Sequence, residues 1–242
     1  MKSQSFYTIL LVLVSSLFIS CVSLPSFSSD KNEKRVVHSY KTIEISEKLD
    51  YLDTEIKYPE FEKYPDLNKR IANTIQSNWK SFKSYSKSEW NEIVALNNRG
   101  KSKLPSFEYL VSFDVSGTSD IISVLLNTYI FNGGAHGNTN LTAFNYQIST
   151  GKIIDIPNAS GLTYNEISSI CRNALYKKLI EDDKTGMPPS EQDALREMIN
   201  TGAFPQPGNF EIYTVDGSRI FVYFEPYSVA PYSYGVQKIQ IR

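Results

Sequence analysis

His136 is the residue whose surroundings best suit it to chemistry. It stands in Asn132-Gly133-Gly134-Ala135-His136-Gly137-Asn138, where three glycines and two asparagines crowd seven positions. Imidazole titrates near neutrality and serves as a general base when a carboxylate orients it. Asp155 and Glu225 are the carboxylates to consider, and either pairing would make the protein a hydrolase. The competing reading makes His136 a hydrogen-bonding prop in a turn whose glycines supply positive φ or close approach. The other histidine is His38, so a zinc site would need carboxylates that the spacing does not offer. No phosphate-binding glycine loop with its lysine, H-E-x-x-H or G-x-S-x-G occurs. Gly133-Gly134-x-x-Gly137 runs into a strand-like segment rather than a helix, which removes the dinucleotide reading. The expectation is no cofactor, no metal and no catalytic residue; whether the chain is an enzyme stays open, with the non-enzymatic reading favoured.

The remaining reactive side chains are two cysteines, Cys21 and Cys171. Lys2 precedes an uncharged apolar run from Phe6 to Ile19, too short to span a bilayer and suited to a signal peptide. Leu17-Phe18-Ile19-Ser20-Cys21 then has the form of a bacterial lipobox, with Phe18 where that motif usually carries Leu. Residues 1–20 are therefore expected to be a lipoprotein signal peptide. Cys21 would carry diacylglycerol and a fatty acyl chain such as palmitate, anchoring an extracytoplasmic protein in the cell membrane or outer membrane. An ordinary signal peptide or an anchor helix is the alternative. Residues 21–38, Ser-rich and then charged, read as a flexible tether. Loss of Lys2 leaves 24 basic residues against 26 acidic ones. That balance makes no electrostatic case for nucleic acid. With Cys21 lipidated, Cys171 has no partner for an internal disulfide.

These residues must be positioned by a fold rich in Tyr and Phe, 16 and 13 in number, which leans towards sheet. Ile121–Phe131, Thr139–Ile148 and Lys152–Ile156 predict a β-meander, turning at 132–138 and at Thr150-Gly151. Phe144, Tyr146 and Ile148 alternate onto one face of it. Val36–Ile56 predicts one or two strands, and Tyr58-Pro59 and Tyr64-Pro65 predict breaks. Asp66 is expected to cap a helix carrying Leu67, Ile71, Ile75, Trp79 and Phe82 on one face, an aromatic stripe read as core. Ser86-x-x-Glu89 has the form of a capping box and predicts a second, short helix with Trp90, Ile93 and Leu96, ended by Asn97–Gly100. Phe107–Val115 alternates as a half-buried antiparallel strand. Thr163-x-x-Glu166 predicts another capped helix burying Ile167, Ile170, Cys171, Ala174 and Leu175, stopped at Lys184-Thr185-Gly186. A short helix capped by Ser190 should follow, with Ala194, Leu195, Met198 and Ile199 on its face. Asp216-Gly217 predicts a hairpin between 210–215 and 219–224, and Val236–Ile241 a last strand. Strands and helices are segregated, so the fold class is α+β: an antiparallel sheet, meander plus C-terminal hairpin, with amphipathic helices on one face. The folded domain would occupy 39–242, with an N-terminal part to 105 and a motif-bearing part from 106.

Two separated motifs carry a resemblance. Asn132–Thr139 with Phe144-Asn145-Tyr146 and Thr150-Gly151-Lys152, and later Pro226-Tyr227-Ser228-Val229-Ala230-Pro231-Tyr232-Ser233-Tyr234-Gly235, are similar to an uncharacterised extracytoplasmic domain family. Its members carry a G-G-A-H-G turn and a P-Y-x-V-A-P-Y-x-x-G loop. The family resembles the extracellular part of anti-sigma-V-type, lysozyme-sensing receptors and the accessory region of some peptidoglycan deacetylases. Set beside that family, the expectation is a recognition module without the receptors' sigma-binding segment and internal membrane helix and without the deacetylases' catalytic domain. The resemblance thus implies a lipid-anchored, non-enzymatic recognition module for a protein or peptidoglycan ligand, lysozyme among them. Its ligand-binding residues would be Gly134, His136, Asn138, Glu225, Tyr227, Tyr232 and Tyr234. A cell-wall hydrolase using His136 and a purely structural envelope lipoprotein are the alternatives. If the two motif loops share a site, His136 should lie against the Pro226–Tyr234 loop and hydrogen-bond to it.

Overall fold

The computed structural model describes residues 33–96 and 106–242; Cys21 and the Asn97–Gly100 helix stop lie outside them. Nine strands and four α-helices follow one another along the described chain in segregated runs, in the order β1(Lys41–Lys48), β2(Leu52–Glu60), α1(Pro65–Leu96), β3(Phe107–Gly117), β4(Ile121–Phe131), β5(Asn138–Gln147), β6(Lys152–Ile153), α2(Ile156–Ser160), α3(Tyr164–Tyr176), α4(Pro189–Gly202), β7(Tyr213–Asp216), β8(Arg219–Phe224) and β9(Gln237–Gln240). The class is α+β. The strands form two sheets, β1-β2-β3-β4-β5-β6 and β7-β8-β9.

The first sheet departs from the antiparallel expectation at one place: β2 and β3 pair in parallel, Leu52 opposite Phe107 and Ile56 opposite Val111. Parallel neighbours need a long crossover, and α1 supplies it. The chain here makes one helix of 32 residues where two were expected. No Gly or Pro interrupts positions 66–96, and the inward stripe runs on through Ile71, Ile75, Trp79, Phe82, Ser86, Trp90 and Ile93 at spacings of three and four. Ser86 sits on that stripe, fully buried and without a hydrogen-bond partner, so it caps nothing. The helix starts at Pro65, a residue suited to a first helical position, which puts Asp66 inside the first turn rather than at the cap. Pro59 does not break β2 but pairs with Thr42 of β1, beyond the stretch that pairs with β3. A proline is tolerated there because that side of the strand is an edge.

α1 covers one face of the large sheet through Leu67, Ile71, Ile75 and Trp90, which pack with Leu52, Ile56, Phe107, Tyr109, Val124, Leu126, Phe144 and Tyr146. The opposite face receives β7. A strand at a sheet edge leaves backbone groups unpaired, and here side chains of the large sheet satisfy them. Val215 donates its N–H to Ser123 Oγ at 2.9 Å and accepts from Ser116 Oγ at 2.8 Å. Asn145 Nδ2 donates to the Tyr213 carbonyl at 2.8 Å, and Ser123 donates to Asn145 Oδ1. Behind this seam a second core gathers α3, α4 and the small sheet, with Ile167, Cys171, Leu175, Leu195, Ile199, Val222 and Ile239 at its centre.

The Thr163–Glu166 capping box is present, each side chain bonded to the other's backbone N–H. Beyond α3 the chain makes one π turn, Lys177–Glu181, so the helical run ends before Lys184-Thr185-Gly186. α4 begins at Pro189 with Pro188 as its cap, and Ala194 is exposed, Leu195 and Ile199 being the residues that reach the core. The hairpin turn is Gly217-Ser218, since Asp216 already pairs with Arg219. Residues 33–38, expected to be tether, lie docked. Val36 donates to the Gly117 carbonyl at 3.0 Å, His38 Nε2 bonds to the Thr118 carbonyl at 2.8 Å, and Arg35 Nε meets Asp216 Oδ1 at 2.9 Å.

Candidate loop-pair binding site

The two motif loops meet. β4 and β5 pair along their length, Ile130 opposite Asn138, so residues 132–137 close the hairpin at one end of the large sheet. β8 and β9 pair from Phe224 opposite Gln237, which leaves residues 225–236 as the loop at one end of the small sheet. The seam at β7 fixes the sheets relative to each other and brings the two ends together.

Each loop is pinned from behind. Gly137 is buried against Tyr129, whose ring carbons and hydroxyl would lie 2.2–2.4 Å from any Cβ placed there. Any side chain there would have to displace the Tyr129 ring. In the second loop Val229 and Ala230 are buried in the C-terminal core. The loop backbone presses on α4 so closely that a Cβ on Gly202 would stand 1.9 Å from the Ser228 carbonyl oxygen. Val229 and Ala230 stand in the P-Y-x-V-A-P-Y motif but not among the expected ligand-binding residues, and their place is in the core; for Tyr129 and Gly202 the glycine and proline spacing carries no signal of these contacts.

The contact between the loops is made by Tyr232. Its hydroxyl donates to the Gly137 carbonyl at 2.7 Å, and its ring stacks on the His136 imidazole with centroids 3.9 Å apart and planes 21° from parallel. His136 therefore lies against the loop as expected, but its hydrogen bond is not to that loop. Its Nδ1 bonds to the carbonyl of the next residue, Gly137, at 2.9 Å. A carbonyl oxygen only accepts, so Nδ1 carries the proton, and both lone pairs of this one carbonyl are occupied. Tyr227 continues the row, its ring 5.7 Å from that of Tyr232 and tilted by 34°.

Tyr227 is 59% exposed and has φ +71°. A bulky residue in the left-handed region is a genuine outlier. The Tyr227 N–H to Ala230 carbonyl bond, 3.0 Å, and the Ser228 N–H to Glu225 carbonyl bond, 3.1 Å, hold it there. Tyr234 is 37% exposed but shares no ring contact with the other three; its backbone is fixed by the Gln237 amide, which donates to its carbonyl at 2.6 Å. Glu225 accepts the Leu141 N–H on the outer edge of β5, so it latches the second loop to the first hairpin rather than facing a ligand. Asn138 is exposed and bonds through Nδ2 to Asn140 Oδ1 at 3.3 Å; Gly134 is exposed in the turn. The structure thus brings His136, Tyr227 and Tyr232 into one surface, with Gly134 and Asn138 on the neighbouring turn.

The pairings that hydrolysis would need are not formed. His136 bonds to a carbonyl, Glu225 is taken up by a backbone N–H, and Asp155 caps α2 by accepting from Asn158 N–H at 3.0 Å. Cys171 is fully buried, and burial pushes its thiol up to about 12, which leaves it inert as a nucleophile. Among the described residues no group of three His, Cys, Asp or Glu side chains could hold a metal ion, and no helix is long and apolar enough to cross a membrane.

Two family models match separate parts of the chain. Residues 45–139 match the deacetylase PdaC, and residues 160–242 match a protein family of unknown function, DUF3298. The first match contains the G-G-A-H-G turn and the second contains the P-Y-x-V-A-P-Y loop, so the contact at Tyr232 joins the two matched segments. The fold is shared with a DUF3298-family protein of Bacteroides fragilis, at 15% identity, TM-score 0.55, over 86% of this chain and 91% of that one. It is also shared with a DUF3298-family protein of Pseudomonas aeruginosa, at 14% identity, TM-score 0.55, over 88% of this chain and 91% of that one. No curated protein matches this chain in sequence.

Proposed function

We propose that the chain is a lipid-anchored, extracytoplasmic recognition module of the cell envelope that binds a protein or peptidoglycan ligand, lysozyme among them, through the His136–Tyr232–Tyr227 surface. The observation that carries this reading is Tyr227, a large aromatic ring held exposed at positive φ by a clamped loop. Backbone strain of this kind costs on the order of 1 kcal/mol and persists where function needs the geometry. Rigid aromatic rings presented in advance bind at low entropic cost. The match of one segment to a deacetylase, and the resemblance of both motifs to envelope sensors, support the setting.

The topology supports the orientation. Residues 33–38 meet the fold at Gly117 and Asp216, where β3 and β7 end and just before β4 begins. The motif loops follow the far ends of β4 and β8. The eleven residues of β4 separate the two ends by about 35 Å at the usual strand rise. A chain anchored through Cys21 would enter at the near end and hold the aromatic surface away from the membrane.

The test uses Tyr227→Gly in the full chain. Glycine adopts φ +71° without strain, so the melting temperature should hold while capture on immobilised lysozyme or peptidoglycan sacculi is lost. If the wild-type chain is captured by neither, or if Tyr227→Gly is captured as well as wild type, the aromatic surface is not a binding site for these ligands.

A further inference from the structure

A second concavity lies along the outer edge of β5, apart from the loop pair. It is a cleft of about 1580 Å³ between the β5–β6 edge, α2, the start of α3 and the turn at 207–211. Three observations define what it could hold.

The first is an open stretch of strand edge. Residues of one parity on an edge strand direct both N–H and C=O outward. On β5 these are Leu141, Ala143 and Asn145. Glu225 takes the Leu141 N–H, and the Ile154 N–H takes the Asn145 carbonyl at 2.9 Å. Between them Ala143, which lines the cleft, has no partner for either outward group among the described residues. An extended peptide lying in the cleft would exchange two backbone bonds with it, as in strand addition.

The second is charge. Asp155 and Glu211 both line the cleft, against Lys152. Burial and then the two carboxylates raise the Tyr164 phenol above its ordinary value, so both negative fields converge on the wall where Tyr164 stands. Among the described residues the Glu211 carboxylate has no hydrogen-bond or ion-pair partner. A cation of the ligand would be received there.

The third separates peptide from sugar. Stacking on a sugar needs an open aromatic face. Phe210 and Tyr213 are 1% and 2% exposed, and the Tyr213 hydroxyl is already used on the Ile154 carbonyl at 2.7 Å. Tyr164 is half-buried and stacked on Phe210. Ile153, 38% exposed, adds an aliphatic floor instead.

We propose that this cleft binds an extended peptide bearing a basic side chain, pairing its backbone with Ala143 and seating its cation between Asp155 and Glu211. The site is independent of the loop-pair reading, because none of these residues belongs to that surface.

The experiment measures fluorescence anisotropy of the full chain with a labelled pool of acetyl-Ala-Xaa-Lys-Xaa-Ala-amide peptides, Xaa being Ala, Ser, Thr or Val. Binding by at least one member in the micromolar to millimolar range is expected. Norleucine in place of Lys, or Asp155→Asn with Glu211→Gln in the protein, should each weaken it roughly tenfold, the scale of one or two partly exposed charge contacts. Asparagine still caps α2, so this variant should melt as wild type. N-methylation scanned along the peptide should abolish binding at the residue that faces Ala143 and spare its neighbours. The proposal fails if no peptide binds, if binding ignores the charge changes, or if no N-methyl position matters. It also fails if glucosamine oligomers bind with the same charge dependence in place of peptides.

Discussion

The shared carbonyl of Gly137 makes a quantitative prediction about what joins the two loops. Tyr232 donates to it at 2.7 Å and His136 Nδ1 at 2.9 Å. Tyr232→Phe keeps the ring stacked on His136 and removes one donor, while the imidazole still satisfies the oxygen. The expected cost is that of one replaceable hydrogen bond, about 1 kcal/mol. His136→Ala removes the other donor and the stack, for about 1 kcal/mol at this exposure. Together the two changes leave the carbonyl of a buried residue with no donor, and an orphaned polar group costs about 1–3 kcal/mol beyond the lost bonds. The double variant should therefore fall below the sum of the single ones by about 1 kcal/mol, a coupling that a double-mutant cycle resolves. Urea unfolding measures it. At this chain length each kilocalorie lowers the melting temperature by about 2–4 °C. Costs that add to within about 0.3 kcal/mol would refute the shared-acceptor argument. A Tyr232→Phe variant as stable as wild type would refute the clamp itself.

Ser86→Ala should leave stability unchanged or raise it by up to about 1 kcal/mol, since it removes a buried hydroxyl without a partner and favours the helix; a loss in thermal unfolding would count against the continuous α1. Asn145→Ala should cost about 3 kcal/mol in urea unfolding, because it orphans the Tyr213 carbonyl and unties Ser123 from the seam; a cost under about 1 kcal/mol would mean the sheets are joined by other contacts. Burial lifts the Cys171 thiol from 9.0 to about 12 and the Tyr109 phenol from 10.0 to about 12. Both are acids held neutral by the fold, so the folded state binds their protons more tightly. Their contribution is complete below pH 9 and lost as pH rises towards 12. The urea midpoint should be flat near neutrality and fall across that alkaline window, and Cys171→Ala should delay the onset of the fall towards pH 10, where the Tyr109 phenol begins.

Features that depend on a few consecutive residues were legible in the chain itself. The Thr163–Glu166 capping box, the parity of Phe107–Val115 and the helical stripe from Leu67 onwards are set by backbone sterics and hydrogen bonds that close within one turn or one strand step. The same local reasoning failed where local signals compete. Ser86-x-x-Glu89 has the form of a cap, yet a continuous apolar face on both sides of it keeps α1 whole. Pro59 has the form of a break, yet an edge position accepts it. The candidate site divides the same way. The composition of the two loops marked them, but their contact spans 95 residues between Gly137 and Tyr232. Neither loop carries a pattern that points to the other. They meet because β7, an edge strand, finds its missing partners in Ser116, Ser123 and Asn145 on the face of another sheet. That choice depends on burying both cores at once, a long-range free energy that no short window of residues encodes.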